Sequence, residues 1–562
     1  MKDMCKNIAV FGPTHSGKST LMGYILCHEL DESSRKSKLS HIKKEILEDG
    51  LIYHADRKYA YVVDTAADER RDNKHQQSRR RGIGGGSKHI HICEASINNV
   101  DCTFFETPGS DQYWIEKDEG VFLGDIGVYV IEISLLLELS QKVKDSQNYK
   151  ELERRIFSPL YLWKHYKNVL KLVIVISKID LNYSRFAIET AINIIRSVRA
   201  FRNVQIVPIS IDIDGETDCN IYNKCQKIDN FYKGKTLINA ISSLINIEVS
   251  KVNDKTSVFA HIHRIFEVKD YNYKSTFALR IKVLNGSISE GDKIKIGPIK
   301  EKNNNRNLFG EGIVKMLKRD PSSKVNVLNK GEVGGVIFSS FVVDGIEREL
   351  SEFELKRTSV LYDINSDIEK GNLLYLTVDL RNENNAMKEA FINLKINDRI
   401  KIIWFGKLIV ADLVGRICSD FEEGKDKWNL ILMNYNSSTE ISTFLLTMNE
   451  KRELIYNNFV LQLPNGLYVK SQITDIDYIS SDLPGQVDFV CNYDGILNQD
   501  FEEFMSSLKE MKLQVHIEDS AIYNGIYFTN ITNINISSVM SLLRKFMRHK
   551  NISNYQIDIK SR

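Results

Sequence analysis

The first apolar run of the chain, Asn7 to Phe11, gives way to a glycine-bearing polar segment and then to the helix-like stretch Thr20 to Leu26, a pattern that predicts strand, loop and helix in succession. Three more apolar runs read as strands, Val100 to Phe105, Lys171 to Ile176, which has the character of a buried strand, and Val204 to Pro208. A helix is expected over Thr236 to Ile245, after the polar stretch from Asp214 to Lys235. The pattern then changes to short strands, at Val258 to Phe266, Thr276 to Leu284 and Lys293 to Ile296, with a glycine-rich turn from Gly286 to Asp292. Short alternating strands with such turns predict a small β-barrel. Strands at Leu373 to Asp379, Arg399 to Trp404, Trp428 to Met433 and Phe459 to Ile476 predict a second one. From Val487 onward the order is strand (487–493), helix (500–511), strand (513–517), strand (525–531), helix (537–548) and strand (555–559), the βαββαβ pattern of a ferredoxin-like unit.

Length supports several modules, since 562 residues exceed what one core usually serves. With 42% hydrophobic and 27% charged residues the composition is that of a globular protein. A net charge of +2 supplies no overall basic field for nucleic acid, and no RNP-like aromatic pair stands on the C-terminal strands. Eight cysteines without a C-x-x-C pair or framework spacing fit a reducing compartment. The opening apolar run is too short for a signal-peptide core, and no apolar stretch reaches membrane-spanning length. The expected setting is the cytoplasm, with neither membrane nor DNA as partner.

The chemistry is concentrated at the strand ends. Gly12, Pro13, Thr14, His15, Ser16, Gly17, Lys18 and Ser19 fit G-x-x-x-x-G-K-[ST] and lead into Thr20. Backbone N–H groups of such a loop wrap phosphates, the lysine reaches the β and γ phosphates, and the serine hydroxyl binds Mg²⁺. The run ending at Ile176 leads into Ser177-Lys178-Ile179-Asp180. A carboxylate there accepts two hydrogen bonds from guanine N1–H and its 2-amino group, a donor pair that adenine lacks, while the Lys178 stem covers the base. After the next strand, a loop N–H at Ser210 or Ile211 would meet guanine O6; an ordinary strand-Pro-Ser turn is the competing reading. Between these motifs, Glu106-Thr107-Pro108-Gly109 ends a strand, where an acidic group can hold a Mg²⁺-bound water and the Gly109 N–H can sense a γ-phosphate. The order of the three motifs predicts GTP or GDP with Mg²⁺ as the bound cofactors.

These residues resemble the translation-factor GTPases of the elongation factor 1-alpha and Tu class. Gly12 to Gly23 is similar to that class's phosphate loop and first helix; Asp64, Glu69-Arg70 and Arg81-Gly82-Ile83 resemble its first switch. Glu106 to Gly109 resembles its Asp-x-Pro-Gly, Ser177 to Asp180 its Asn-Lys-x-Asp, and Val207 to Ser210 its last nucleotide loop. The likeness is good over 1–215, thinner to 345 and faint beyond. It implies a multidomain α/β and β fold: a P-loop GTPase domain (1–250), a β-barrel domain II (255–348), a β-barrel domain III (350–480) and a C-terminal α+β ferredoxin-like domain (484–562). It further implies a GTPase switch acting with a ribosome, tRNA or another protein partner.

The departures bear on hydrolysis. The class follows Pro-Gly with a histidine that orients the attacking water, and this chain has Ser110. Ser110 and Lys18 are therefore the catalytic candidates, with intrinsic turnover expected to be weak. Gly84-Gly85-Gly86 interrupt the first switch, and counting back from Glu106 to the class's Mg²⁺-binding threonine arrives at Ser87. Either Ser87 supplies that hydroxyl, or the glycines form a hinge and the ligand is lost. Metal ligands are thus expected at Ser19, at Ser87 and, through water, at Glu106. His89, His91 and Cys93 alternate along a strand, which leaves a further metal or plain strand histidines, the latter favoured because no fourth ligand is evident. The functional alternative to a switch is a GTP-dependent adaptor or regulatory subunit with little hydrolysis, such as the GTPase subunit of a sulfate-activating enzyme.

Overall fold

The computed structural model describes residues 6–48, 53, 58–64, 89–110, 113–143, 146–167, 171–181, 184–211, 218–245, 258–269, 275–302, 308–318, 324–364, 368–371, 373–380, 385–395, 398–404, 407–418, 427–433, 444–447, 458–464, 468–477, 487–493, 514–519, 524–531 and 555–561. The chain divides into two compact units, residues 1–364 with 405–408, and the remainder.

In the first unit, the apolar runs become strands of one sheet: β1 (Lys6–Phe11), β2 (His91–Ile97), β3 (Val100–Glu106), β4 (Ile126–Glu132), β5 (Leu172–Ser177) and β6 (Gln205–Pro208), in the order β2-β3-β1-β4-β5-β6. β3, β1, β4, β5 and β6 run parallel, and β2 joins β3 as an antiparallel hairpin. Helices cover the faces of the parallel strands, so β4 and β5 are buried almost throughout. These helices are α1 (Lys18–His28), α2 (Glu32–Glu48), α3 (Ala60–Val63), α4 (Trp114–Leu123), α5 (Ile133–Gln141), α6 (Gln147–Tyr166), α7 (Arg185–Ser197) and α8 (Leu237–Ile245). Two helix starts follow from serine caps: the Ser146 and Ser184 hydroxyls accept from the N–H groups of Tyr149 and Ala187. Trp163 of α6 stacks on Phe11 of β1 at 5.7 Å between centroids, pinning that long helix over the phosphate-loop strand.

Beyond Ile211 the structure holds a feature the sequence reading did not anticipate. Cys219 and Cys225 form a disulfide, where the cysteine spacing suggested free thiols in a reducing compartment. The cause is a tight turn: Asp218 Oδ1 accepts from the N–H groups of Ile221, Tyr222 and Asn223, and Cys225 N–H donates to Asn220 Oδ1, which returns the chain on itself.

The barrel of this unit is antiparallel, with strands Leu308–Lys318, Lys293–Glu301, Phe353–Asp363, Phe259–Lys269, Ser275–Asn285 and Val333–Val343 adjacent in that order and the first pairing the last to close the ring. Strand 353–363, which the sequence reading gave to the second barrel, hydrogen-bonds to strands 259–269 and 293–301 and so belongs to the first. Local patterning could not show this, because the pairing joins segments far apart in the chain.

The second unit contains a closed six-stranded barrel, built from strands 373–379, 427–433, 407–418, 399–404, 458–462 and 468–477. It also contains a four-stranded antiparallel sheet with strands 514–519, 524–531, 487–493 and 555–561 in that order. This is the strand order of a ferredoxin-like sheet; the helices expected over 500–511 and 537–548 lie outside the described residues.

Candidate functional site

The loop from Gly12 to Gly17 joins β1 to α1, and its geometry is specified locally. Gly17 caps α1 at φ 89°, a left-handed conformation open to glycine at little cost, and His15 is held at φ 63°. Lys18 is the first residue of α1 and is buried; its Nζ donates to the carbonyl of Pro13 at 2.9 Å across the loop. Ser19 Oγ donates to Glu106 Oε1 at 2.5 Å. Thr107 N–H donates to Val10 O, and a Cβ on Gly109 would lie 2.6 Å from Lys18 Nζ and 2.8 Å from Thr14 N. The acidic-x-x-Gly segment therefore lies directly on the phosphate loop, at a distance that only glycine permits.

Around Glu106 the structure brings together Asp64, which the likeness assigned to the first switch, and His91, while Lys117, which no motif singled out, comes to Lys18. Asp64, at the end of α3, is buried, as is Lys117 of α4, and His91 Nδ1 lies 2.7 Å from Val63 O. Burial, with Asp64 adding repulsion, raises the Glu106 carboxyl well above the usual range; His91, Ser19 and Lys18 pull it back only in part. Burial likewise lowers the Lys18 ammonium, with Lys117 adding repulsion while Glu106 and Asp64 oppose the shift. Among the described residues, Glu106 Oε2 is buried without a hydrogen-bond partner, as are Ser16 Oγ and Thr107 Oγ1. A fully buried carboxylate oxygen left over beside a serine hydroxyl is a donor set that fits Mg²⁺ and its water. Among the described residues no cluster of three His, Cys, Asp or Glu side chains forms a further metal site; His91 instead lies against Val63 O. Ser87 lies outside the described residues, and Ser110, half-buried, directly follows Gly109.

The second half of the site lies at the ends of β5 and β6. Ile209 N–H donates to Ile176 O and Ile179 N–H to Ile209 O, which places 177–180 alongside 209–211. Asp180 is exposed in a single 3₁₀ turn, and Ser210 is buried where its strand pairs with Cys219. The Ser177 hydroxyl points into the protein, donating to Ser16 O at 2.6 Å with Ile131 O at 3.2 Å, so it ties β5 to the phosphate loop. Lys178, at φ 57°, donates through Nζ to Glu132 Oε2 at 2.7 Å.

The barrel reaches this region through α4, the helix that follows Gly109. Glu119 Oε1 lies 2.9 Å from His261 Nε2 and 3.0 Å from His263 Nδ1. Lys282 Nζ donates to Phe122 O, Leu123 O and Asp125 Oδ1 at 3.2, 2.7 and 2.9 Å, a cation on the helix's C-terminal carbonyls. Asn7 Nδ2 donates to Asp125 Oδ2 and to Gly331 O of the barrel.

A phosphate loop, an acidic strand end laid against it and two base-side loops, on a parallel sheet followed by a β-barrel, define a P-loop nucleotide-binding protein of translation-factor type. The model of the elongation factor Tu GTP-binding domain matches residues 3–319, more than half of the chain, and the chain belongs to that family as a divergent member. Among solved structures it is similar to the Ski7 GTPase-like domain of S. cerevisiae bound to GTP, at 15% identity and TM-score 0.62, covering 84% of this chain and 97% of that one. The same domain bound to GDP and inorganic phosphate matches at 15% identity and TM-score 0.59 over the same shares. Translation elongation factor SelB from Methanococcus maripaludis, in complex with the GTP analogue GppNHp, matches at 12% identity and TM-score 0.50, over 94% of this chain and 95% of that one. At these identities the likeness is one of fold. No curated protein matches the sequence. Among the described residues, no helix is long and apolar enough to cross a membrane.

Proposed function

We propose that the chain binds GTP and GDP with Mg²⁺ at this site and works as a guanine-nucleotide switch with weak intrinsic hydrolysis. The observation that carries this reading is the convergence of Lys18, Ser19 and Glu106 under Gly109, with Glu106 Oε2 buried and unpartnered among them. Backbone N–H groups of residues 14–20 and the Lys18 ammonium would hold the phosphates; Ser19 and, through water, Glu106 would hold Mg²⁺, which supplies charge neutralisation when bound. Asp180 would read guanine N1–H and the 2-amino group, Lys178 would cover the base, and the backbone of Ser210 and Ile211 would meet O6. Gly109 N–H would sense the γ-phosphate, with Ser87 as the first-switch hydroxyl.

Weak turnover follows from Ser110. A short neutral hydroxyl does not polarise an attacking water as an imidazole does, and loss of such a positioning group commonly costs a few orders of magnitude in rate. The yeast domain of the same fold is described as GTPase-like and was solved with GTP, which agrees with a second reading: a GTP-dependent adaptor that hydrolyses little or nothing. Ribosome or tRNA partners belong to the switch reading, supported by the family and by the fold shared with SelB.

Competition between GTP and ATP tests the assignment. Asp180→Asn should weaken guanine-nucleotide binding by about 2 to 3 kcal/mol, and equal affinities for the two nucleotides in the unmodified chain would overturn it. Single-turnover hydrolysis with and without ribosomes separates switch from adaptor: stimulation favours the switch, and a flat low rate favours the adaptor. Fast hydrolysis by the chain alone, abolished by Ser110→Ala, would show Ser110 to be catalytic and the weak-turnover account wrong.

A further inference from the structure

Glu132, the last residue of β4, has no place in the motifs, yet it stands at the rim of the base-side loops. β4 and β5 run parallel with Glu132 opposite Ser177, so the next residue along β5's path, Lys178, arrives beside the carboxylate. Both carboxylate oxygens are engaged: Oε2 accepts from Lys178 Nζ at 2.7 Å and Oε1 from Ser134 Oγ at 2.7 Å. The Glu132 side chain is 18% exposed and that of Lys178 38%, so the carboxylate is sheltered while part of the lysine remains open to solvent. Ser177 fixes the same corner from below through Ser16 O. A flexible lysine stem on a residue in the left-handed region is thereby held in one direction from both its backbone and its tip.

We propose that Glu132 is a positioning residue for guanine recognition, holding Lys178 Nζ so that the lysine stem is already set as the wall against which the base lies. This rests on the nucleotide reading above. The acidic partner acts before the ligand arrives, sparing the lysine its loss of rotamer freedom on binding. Burial works against the Glu132 charge, but the hydrogen bonds from Lys178 and Ser134, together with the charges of Lys178 and His15, hold its carboxyl below the usual range, so the pair is intact at neutral pH.

The test is calorimetric titration of the full chain with GDP and, separately, with Mg²⁺-pyrophosphate, which shares the phosphates but has no base. Glu132→Gln should weaken GDP by about fivefold and leave pyrophosphate unchanged. Lys178→Met, which removes the same pair from the other side, should weaken GDP at least as much, and Glu132→Gln should then add no further loss. An unchanged GDP affinity in Glu132→Gln, an equal loss for pyrophosphate, or a full additional loss in the Lys178→Met background would each overturn the proposal. If GDP binding survives in the unmodified chain and falls in Asp180→Asn but not in Glu132→Gln, positioning fails while the nucleotide reading stands. If the unmodified chain does not bind GDP, both fail.

Discussion

Two groups of buried charge lie in the first unit, one at the C-terminal end of α4 and one at the phosphate loop. At the junction with the barrel, the three protons of the Lys282 ammonium meet three acceptors, and both carboxylate oxygens of Asp125 receive donors. At the head of the phosphate loop, Glu106 keeps one fully buried oxygen without a hydrogen-bond partner among the described residues, and burial moves the Lys18 ammonium and the Glu106 carboxyl toward their neutral forms. The first arrangement stabilises the fold it sits in. The second costs stability that a bound anion and cation would return. Buried charge is therefore no sign of function by itself; an incomplete set of partners is the sign.

The difference can be broken most directly at the two lysines. Lys18→Ala should reduce GDP affinity by about 3 kcal/mol while leaving the melting temperature of the nucleotide-free chain unchanged or higher, because a buried and depressed ammonium is removed. Lys282→Met should do the reverse. It should lower the urea-unfolding stability by about 2 kcal/mol, through the loss of donors to two helix carbonyls and a half-buried carboxylate, with GDP affinity changed by less than about twofold. If Lys18→Ala destabilises the nucleotide-free chain more than Lys282→Met, the contrast is wrong.

Lys167 sharpens the junction side. Burial lowers its ammonium to about 7, and repulsion from Lys282 adds to this while Asp125 opposes it. Because the folded value lies below the unfolded one, the unfolded chain binds more protons above pH 7, and stability must rise with pH through that window. The unmodified chain should gain about 1.5 kcal/mol relative to Lys167→Met between pH 7 and about pH 8.5; parallel stability–pH curves for the two would dismiss this. The smallest effect is expected at Glu106. Glu106→Gln should alter nucleotide-free stability by less than about 1 kcal/mol, since the charge it removes is already disfavoured by burial. It should weaken, without abolishing, the Mg²⁺ dependence of GTP affinity, since Ser19 would still hold the metal, read by titration with and without Mg²⁺.

What the sequence by itself determined is what consecutive residues can specify. Gly12 to Ser19 must form a phosphate loop because its glycines, lysine and serine are contiguous between an apolar run and a helix. Glu106, Gly109, Lys178 and Asp180 stand out as candidates for the same reason: each lies within four residues of the end of an apolar run that reads as a strand. Tertiary structure alone decided the rest. Asp64 comes to Glu106 from the end of α3 and His91 from the neighbouring strand, Lys117 comes to Lys18 from α4, and Glu132 meets Lys178 only because β4 and β5 lie side by side in parallel register. The turned-in hydroxyl of Ser177 and the transfer of strand 353–363 to the first barrel follow likewise from which backbone packs against which. Periodicity and local motifs report the direction of the chain over a few residues. Partners separated by 42 positions, as Asp64 and Glu106, or by 194, as Asp218 and Tyr24, meet through sheet order and helix packing, and neither is written in any local stretch.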